Sequence, residues 1–278
     1  MKIFQFASDL KAELNGKEKS IGFVPTMGAL HQGHLSLIEQ SQNENDITVC
    51  SIFVNPTQFN KKEDLVNYPS SDQEDIELLE KINCDYLYIP AVSDIYPKGP
   101  VSEGFDFGGI ELEMEGKQRP GHFDGVGTVL KRLFEIIEPN KAYFGEKDFQ
   151  QLQVVKKLNE LVGFGIDIIG CPIYRESDGL AMSSRNKRLS AEQRKVAPLI
   201  FQTLTKVKSF FQNLNPVELE QLVQSTFDKE PLLDLEYFEI ADIKDLKKTK
   251  SIDANKKYRA FISVFAGTVR LIDNIDLN

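Results

Sequence analysis

Residues 47–54, Ile-Thr-Val-Cys-Ser-Ile-Phe-Val, form an apolar, β-branched run with no alternation of polar and apolar positions. A strand of that kind has no face to turn to water, so it belongs inside a sheet covered on both sides. Parallel sheets with crossover helices meet that need, and the neighbouring segments supply the alternation. Residues 20–24 read as a strand, 33–42 as a helix, 72–82 as a helix and 86–90 as a strand. Residues 126–137 read as a helix opened by Gly125 and stopped ahead of Pro139. A short strand at 141–145, a helix at 148–162 and a strand at 166–171 follow. The fold class this predicts is α/β, a Rossmann-like parallel sheet domain whose ligands gather at the carboxyl ends of the strands.

Beyond residue 185 the texture changes. Residues 191–211 and 216–227 read as helices, and 235–240, 258–265 and 269–272 as strands, with Gly267 as a hairpin turn between the last two. Two domains are therefore expected, 1–175 and a smaller C-terminal α+β domain at 176–278. The 278 residues are 41% hydrophobic and 27% charged, the composition of a soluble globular protein. A formal net charge of −9 argues against a nucleic-acid partner, which normally meets a basic face. No apolar run reaches the ~18 residues of a membrane span, and the patch at 1–6 soon meets Asp9 and Lys11, unlike a secretory signal. Cys50, Cys84 and Cys171 are far apart and odd in number, so they are expected to be reduced, buried thiols of a cytoplasmic protein.

The most informative motif is the decapeptide Pro25-Thr26-Met27-Gly28-Ala29-Leu30-His31-Gln32-Gly33-His34, set between strand and helix. Glycines let the backbone approach a ligand, and a helix start offers free N–H groups and a positive dipole end. His31 and His34, at i and i+3, are expected to project to one side, so both reach the same phosphate. Zinc fits these two histidines poorly, since the spacing is not His-Glu-x-x-His and no Cys or Asp partner lies nearby. Asn55-Pro56-Thr57-Gln58 follows the second strand; it is either a proline-ordered turn with surface amides or part of a pocket. Gly145-Glu146-Lys147-Asp148 opens a helix, with Gln151 one turn past Lys147. Lys147 suits phosphate, Asp148 suits ribose or a metal, and an ordinary acidic helix start is the plain alternative. Ser183, Ser184 and Arg185 are hydroxyls and a guanidinium fork suited to a triphosphate, or else a linker with an N-cap serine. In Arg119-Pro120-Gly121-His122, Arg119 suits a carboxylate clamp, while His122 reads as a packed or capping residue.

Taken together, residues 25–34, 53–59, 119–125, 145–151 and 178–186 make the chain resemble the pantoate–β-alanine ligase family along its whole length. Five ordered motifs carry the resemblance; the wider His-x-Gly-His nucleotidylyltransferases share only the first and a loose analogue of Met-Ser-Ser-Arg. It implies ATP-dependent condensation of pantoate with β-alanine through a pantoyl-adenylate, releasing pyrophosphate and AMP, on the route to pantothenate and coenzyme A. It implies a nucleotide- and pantoate-binding first domain, a C-terminal lid, Mg2+ as cofactor with its ligands unassigned, no membrane, and a cytoplasmic homodimer. By the same resemblance, His34, His31, Lys147 and Arg185 are catalytic. Met27, Gly28, Ala29, Leu30, His31, Gln32, Gly33, His34, Gly145, Glu146, Lys147, Asp148, Tyr174, Met182, Ser183, Ser184 and Arg185 line ATP. Gln58 and Gln151 hold pantoate, and Gln58 and Arg119 meet β-alanine. Tyr174 stands where the family usually carries a small aliphatic residue, a departure that a backbone contact survives.

Overall fold

A computed structural model of the chain describes residues 1–16, 18–59, 65 and 72–278. The chain divides into two compact units, Met1–Pro172 and Ile173–Asn278. In the first, six strands make one parallel sheet: β1 (Lys2–Phe4), β2 (Ile21–Thr26), β3 (Ile47–Ile52), β4 (Tyr86–Tyr88), β5 (Lys141–Gly145) and β6 (Asp167–Cys171), in the order β1-β4-β3-β2-β5-β6. Every residue of β3 is buried, and β2 is buried at all positions but Pro25, whereas the edge strands β1 and β6 are largely exposed or half-buried. Burial on both faces is why residues 47–52 show no alternation. The three-residue β1 and the helix Ala7–Leu14 carry too little pattern to be read from the sequence.

The strand order reverses at β2. From β2 the chain builds outward through β3 and β4, then lays β5 against the other side of β2, so the β2/β5 boundary is the switch point where α/β sheets bind ligands. The β2–β5 ladder is short, with Gly22 opposite Lys141 and Phe23 opposite Ala142. Pro25 explains its end. The Ile21 carbonyl accepts from Asn140 on the β5 side, and the Thr26 carbonyl accepts from Phe53 beside β3, so odd residues of β2 face β5. Pro25 has no N–H to give there, and beyond Phe23 the two strands run to their carboxyl ends without pairing.

The helix His122–Ile137 starts ahead of the expected 126, with Gly121 at its N-cap in the left-handed region (φ 78°). Gly125 has another task. A Cβ there would lie 2.4 Å from the Thr57 carbonyl oxygen and 2.8 Å from the Gln58 nitrogen. Glycine thus lets the first helical turn press against the turn that follows β3. The helix buries Val126, Val129, Leu130, Leu133, Phe134 and Ile137 along one stripe, with Phe134 edge-on to Phe23 of β2 at 6.2 Å.

In the second unit, β7 (Asp234–Asp242), β8 (Tyr258–Ala266) and β9 (Val269–Asp276) form an antiparallel sheet in that order, with Gly267 (φ 61°) in the tight turn from β8 to β9. The expected helix at 191–211 is two, Ala191–Val196 and Leu199–Phe210, because Pro198 cannot continue the first. β9 outruns its expected end because the buried polar pair Asp273 and Asn274 interrupts the apolar pattern. All three cysteines are free and buried; burial pushes Cys84 and Cys171 up to about 12 and lifts Cys50 well above the usual thiol range. Among the described residues, no helix is long and apolar enough to cross a membrane.

Gly125→Ala is expected to cost about 1–3 kcal/mol of stability in urea unfolding, as overpacking against fixed backbone does. Gly104→Ala, with nothing within 4 Å of its Cβ, is expected to be neutral within about 0.5 kcal/mol.

Candidate active site

The loop leaving β2 carries Gly28 at φ 80° and Ala29 at φ 50°, both left-handed. His31 then serves as the N-cap of the helix Gln32–Glu44. Its N–H donates to His34 Nδ1 at 3.3 Å, and its carbonyl accepts from the His34 N–H at 2.8 Å. The two imidazoles lie stacked, 4.0 Å apart with planes at 30°, so they do project to one side. Because His34 Nδ1 accepts, its proton sits on Nε2. Burial, and then the charges of His31 and Lys147, hold His34 down at about 3, so the ring is neutral at pH 7 when no anion is bound. The N–H groups of Ala29 and Leu30, both buried, donate to the carboxylate of Asp75.

The turn after β3 is no surface turn. Asn55 is 1% exposed and Gln58 8%. Asn55 Oδ1 accepts from the Tyr96 hydroxyl at 2.6 Å and the Thr57 hydroxyl at 3.0 Å, while its Nδ2 donates to Gln58 Oε1 and to the Gly125 carbonyl, each at 3.1 Å. Gln58 is thereby oriented, and its Nε2 meets the Met27 sulfur at 2.9 Å. The reading of surface amides fails because the close approach at Gly125 buries the turn. Tyr96 and Gly125, which lock Asn55, come from far along the chain, so no local signal reveals them.

His122 is buried, as a packed histidine should be. Its Nδ1 donates to the Gln58 carbonyl at 2.9 Å, and Arg119 Nη1 donates to its Nε2 at 3.1 Å. Arg119 Nη2 also reaches the Gln58 carbonyl, at 3.2 Å. A guanidinium offers only donors, so Nε2 is the lone-pair side and the ring is neutral. Burial and the Arg119 charge hold His122 at about 4.

After β5, Gly145 precedes a short 3-10 turn, Glu146–Asp148, and the helix Phe149–Val162. Lys147 is mostly buried and lies 3.5 Å from the half-exposed Asp148 carboxylate. The Lys147 charge adds to the lowering of His34, and the Asp148 charge partly offsets the lowering of His122. The next two residues part company. Gln150 is buried and bound to the backbone of Ile110, Glu113 and Glu115, whereas Gln151 is half-buried with no hydrogen-bond partner among the described residues.

Tyr174, Met182, Ser183, Ser184 and Arg185 belong to the second unit. There the Tyr174 carbonyl accepts from the Met182 N–H at 3.0 Å, and Ser183 caps the turn Ser184–Arg188 by accepting from the Arg185 N–H. The turn before it is held by Arg175, which grips Asp273 at 2.7 and 3.0 Å, donates to the Gly179 carbonyl and stacks 3.8 Å over Phe201. Arg194 ties Glu176 to Asp178 at 2.6 Å each. This segment is braced, not a slack linker, while the Arg185 side chain is exposed.

The sequence profile of the family described as Pantoate-beta-alanine ligase matches residues 2–276. The chain is 52% identical to the pantothenate synthetase of Flavobacterium psychrophilum over all of both chains, and 47% identical to that of Bacteroides fragilis over 99% and 98% of the two. It is similar to the crystal structure of pantothenate synthetase from Thermus thermophilus (TM-score 0.92, 38% identity, 100% and 99% covered). It is also similar to a pantoate-beta-alanine ligase from Francisella tularensis complexed with beta-gamma ATP and beta-alanine (TM-score 0.81, 38% identity, 100% and 98% covered).

Both His34 and His122 titrate below their unfolded value of about 6.5, so the unfolded chain binds the extra protons. Their contribution is present above pH 6.5 and is lost as pH falls toward 4, at up to ~1.4 kcal/mol per pH unit for each ring. His122→Gln is expected to be less stable than wild type at pH 7.5 yet to lose less between pH 6.5 and 4.5. Parallel urea titrations across that range check it, and equal slopes for the two proteins refute it.

Proposed function

The chain belongs to the pantoate–β-alanine ligase family, and we propose that its ATP-dependent joining of pantoate to β-alanine runs on the residues gathered where β2, β3 and β5 end. One observation carries this division of labour. Lys147, after β5, acts electrostatically on His34, after β2, while Gln58, after β3, meets Met27 at the root of the same loop. Phosphate-seeking and acid-seeking groups thus share one site in the first unit.

In the first step a pantoate carboxylate oxygen attacks the α-phosphorus of ATP. A P–O bond forms to the acid, the bond to the β-phosphate oxygen breaks, and pyrophosphate leaves with the electron pair. Charge builds on the phosphoryl oxygens, so catalysis means placing donors and cations around them. His34 offers its Nε2–H to the phosphates, and an arriving polyphosphate opposes the lowering that burial, His31 and Lys147 impose on the ring, raising its pKa. His31 and Lys147 supply further charge, and Arg185 and Ser183 are proposed as ATP contacts on the family resemblance. Gln58, already oriented by Asn55, and Gln151, whose amide has no partner among the described residues, hold pantoate through neutral donors and acceptors. In the second step the neutral amine of β-alanine attacks the acyl carbon; the C–N bond forms, the C–O bond to AMP breaks, and the amine gives up a proton. Arg119, its fork steadied by His122 and the Gln58 carbonyl, is proposed as the clamp for the β-alanine carboxylate.

Magnesium is proposed to accompany ATP. Among the described residues no three His, Cys, Asp or Glu side chains cluster to hold a metal. That donor set fits an ion carried mainly by phosphate oxygens and water, with the half-exposed Asp148 as a protein carboxylate. Bound there, the ion would neutralise phosphate charge. The family resemblance further proposes a cytoplasmic homodimer, which sedimentation equilibrium tests directly.

Pantoate-dependent exchange of pyrophosphate into ATP, without β-alanine, is the expected signature of the adenylate. Exchange that ignores pantoate, or AMP release that ignores β-alanine, sinks the assignment. His34→Ala is expected to slow the exchange ~10²-fold or more, as loss of a transition-state contact does. A change confined to the KM for ATP refutes that role. Gln58→Ala is expected to weaken pantoate about tenfold while leaving the Kd of ATP within twofold; equal losses refute the pocket.

A further inference from the structure

The loop that presents the two histidines encloses an anion of the protein's own. Asp75, on the helix Asp72–Lys81, is 1% exposed. Its Oδ2 accepts from the Ala29 N–H at 2.8 Å and its Oδ1 from the Leu30 N–H at 2.7 Å. Consecutive backbone amides turned to one point make the donor pair that anion-binding loops offer to phosphate. Here a side chain from another element already occupies that pair.

The local geometry fits the carboxylate closely. A Cβ on Gly28 would sit 3.1 Å from Asp75 Oδ2 and 3.2 Å from Ile52 Cγ2, and Gly28 is left-handed in any case (φ 80°). Ala29 is left-handed without being glycine (φ 50°), a conformation that persists only where surroundings impose it. The Ala29 N–H that Asp75 grips belongs to that residue. The carboxylate is shut away from solvent on the sheet side of the loop: the same Gly28 position faces both Asp75 and Ile52 of β3, and the Asp75 charge helps to raise the buried Cys50 thiol.

We propose that Asp75 is the positioning residue of the triphosphate site. Its carboxylate closes the Ala29–Leu30 amides to the nucleotide and fixes the path of the loop. The phosphates are thereby directed onward to His31, to the amides that open the Gln32–Glu44 helix, and to His34 and Lys147. A negative charge under the loop also repels a phosphate from lodging one subsite too early. The inference rests on the ligase reading above and adds to it a residue that touches no substrate.

Asp75→Asn keeps size but turns an amide N–H2 against one of the two backbone donors. It is expected to raise the KM for ATP about tenfold and to lower kcat for pantoate-dependent exchange ~10²-fold, the effect of a misplacement near 1 Å. The Kd of pantoate is expected to stay within twofold, since Asn55 and Met27 hold Gln58. Gly28→Ala disturbs the same contact from the loop side and is expected to show the same split, so it decides the matter if the first variant fails to fold. Hydrogen exchange in the unmodified enzyme needs no variant: the Ala29 and Leu30 amides are expected to be protected with and without ATP. A folded Asp75→Asn enzyme with wild-type constants, equal losses for ATP and pantoate, or amides protected only when ATP binds would each overturn the proposal. An unmodified enzyme without pantoate-dependent exchange refutes the ligase reading itself, and the exchange protection then judges the loop alone.

Discussion

A missing hydrogen-bond donor sets the position of everything else in the first unit. Pro25 sits in the middle of the sheet, on the side of β2 that faces β5, where a strand normally continues its ladder. Without that N–H the pairing ends at Phe23 and Ala142, and the carboxyl ends of β2 and β5 stay unpaired. Both phosphate-seeking motifs start from those ends. Polyphosphate groups need room and donors at once, and an interrupted ladder provides room without leaving a buried amide unsatisfied.

Electrostatics follow from that placement. Burial first, and then the charges of His31 and Lys147, leave His34 uncharged before any nucleotide arrives. A site primed in this way waits for its anion: nucleotide binding and ring protonation reinforce each other, each making the other more favourable. The side proposed to bind the acids is built on the opposite plan. Asn55, Gln58, His122 and Arg119 satisfy one another through neutral and charge-assisted bonds, so that side is ordered by the protein alone.

Legibility in the sequence followed the range of the forces involved. Helices and central strands announce themselves because their periodicities are local, and the decapeptide ending in His34 concentrates two of the chain's three histidines in one turn. Boundaries went astray where a residue's reason lay elsewhere in the chain. Gly125 looked like a helix start, but its lack of a side chain answers to Thr57 and Gln58. β9 looked short because Asp273, its buried carboxylate, has its partner Arg175 at the far end of the unit's sequence. Asp75 is one acid among three at the start of an acidic helix, and only the folded chain distinguishes it from Asp72 and Glu74.

The adjacent pair Gln150 and Gln151 shows how finely such a site is registered. One glutamine is consumed by the backbone of residues 110–115 and the other has no hydrogen-bond partner among the described residues, though the two side chains are chemically identical. Their difference is purely angular, about 100° of helical rotation. Gaining a residue between β5 and this helix would carry Gln150 into the place of Gln151, and losing one would carry Gln151 into the place of Gln150, leaving the other position without its glutamine in either case. Evolution can therefore vary the composition of that turn far more readily than its length.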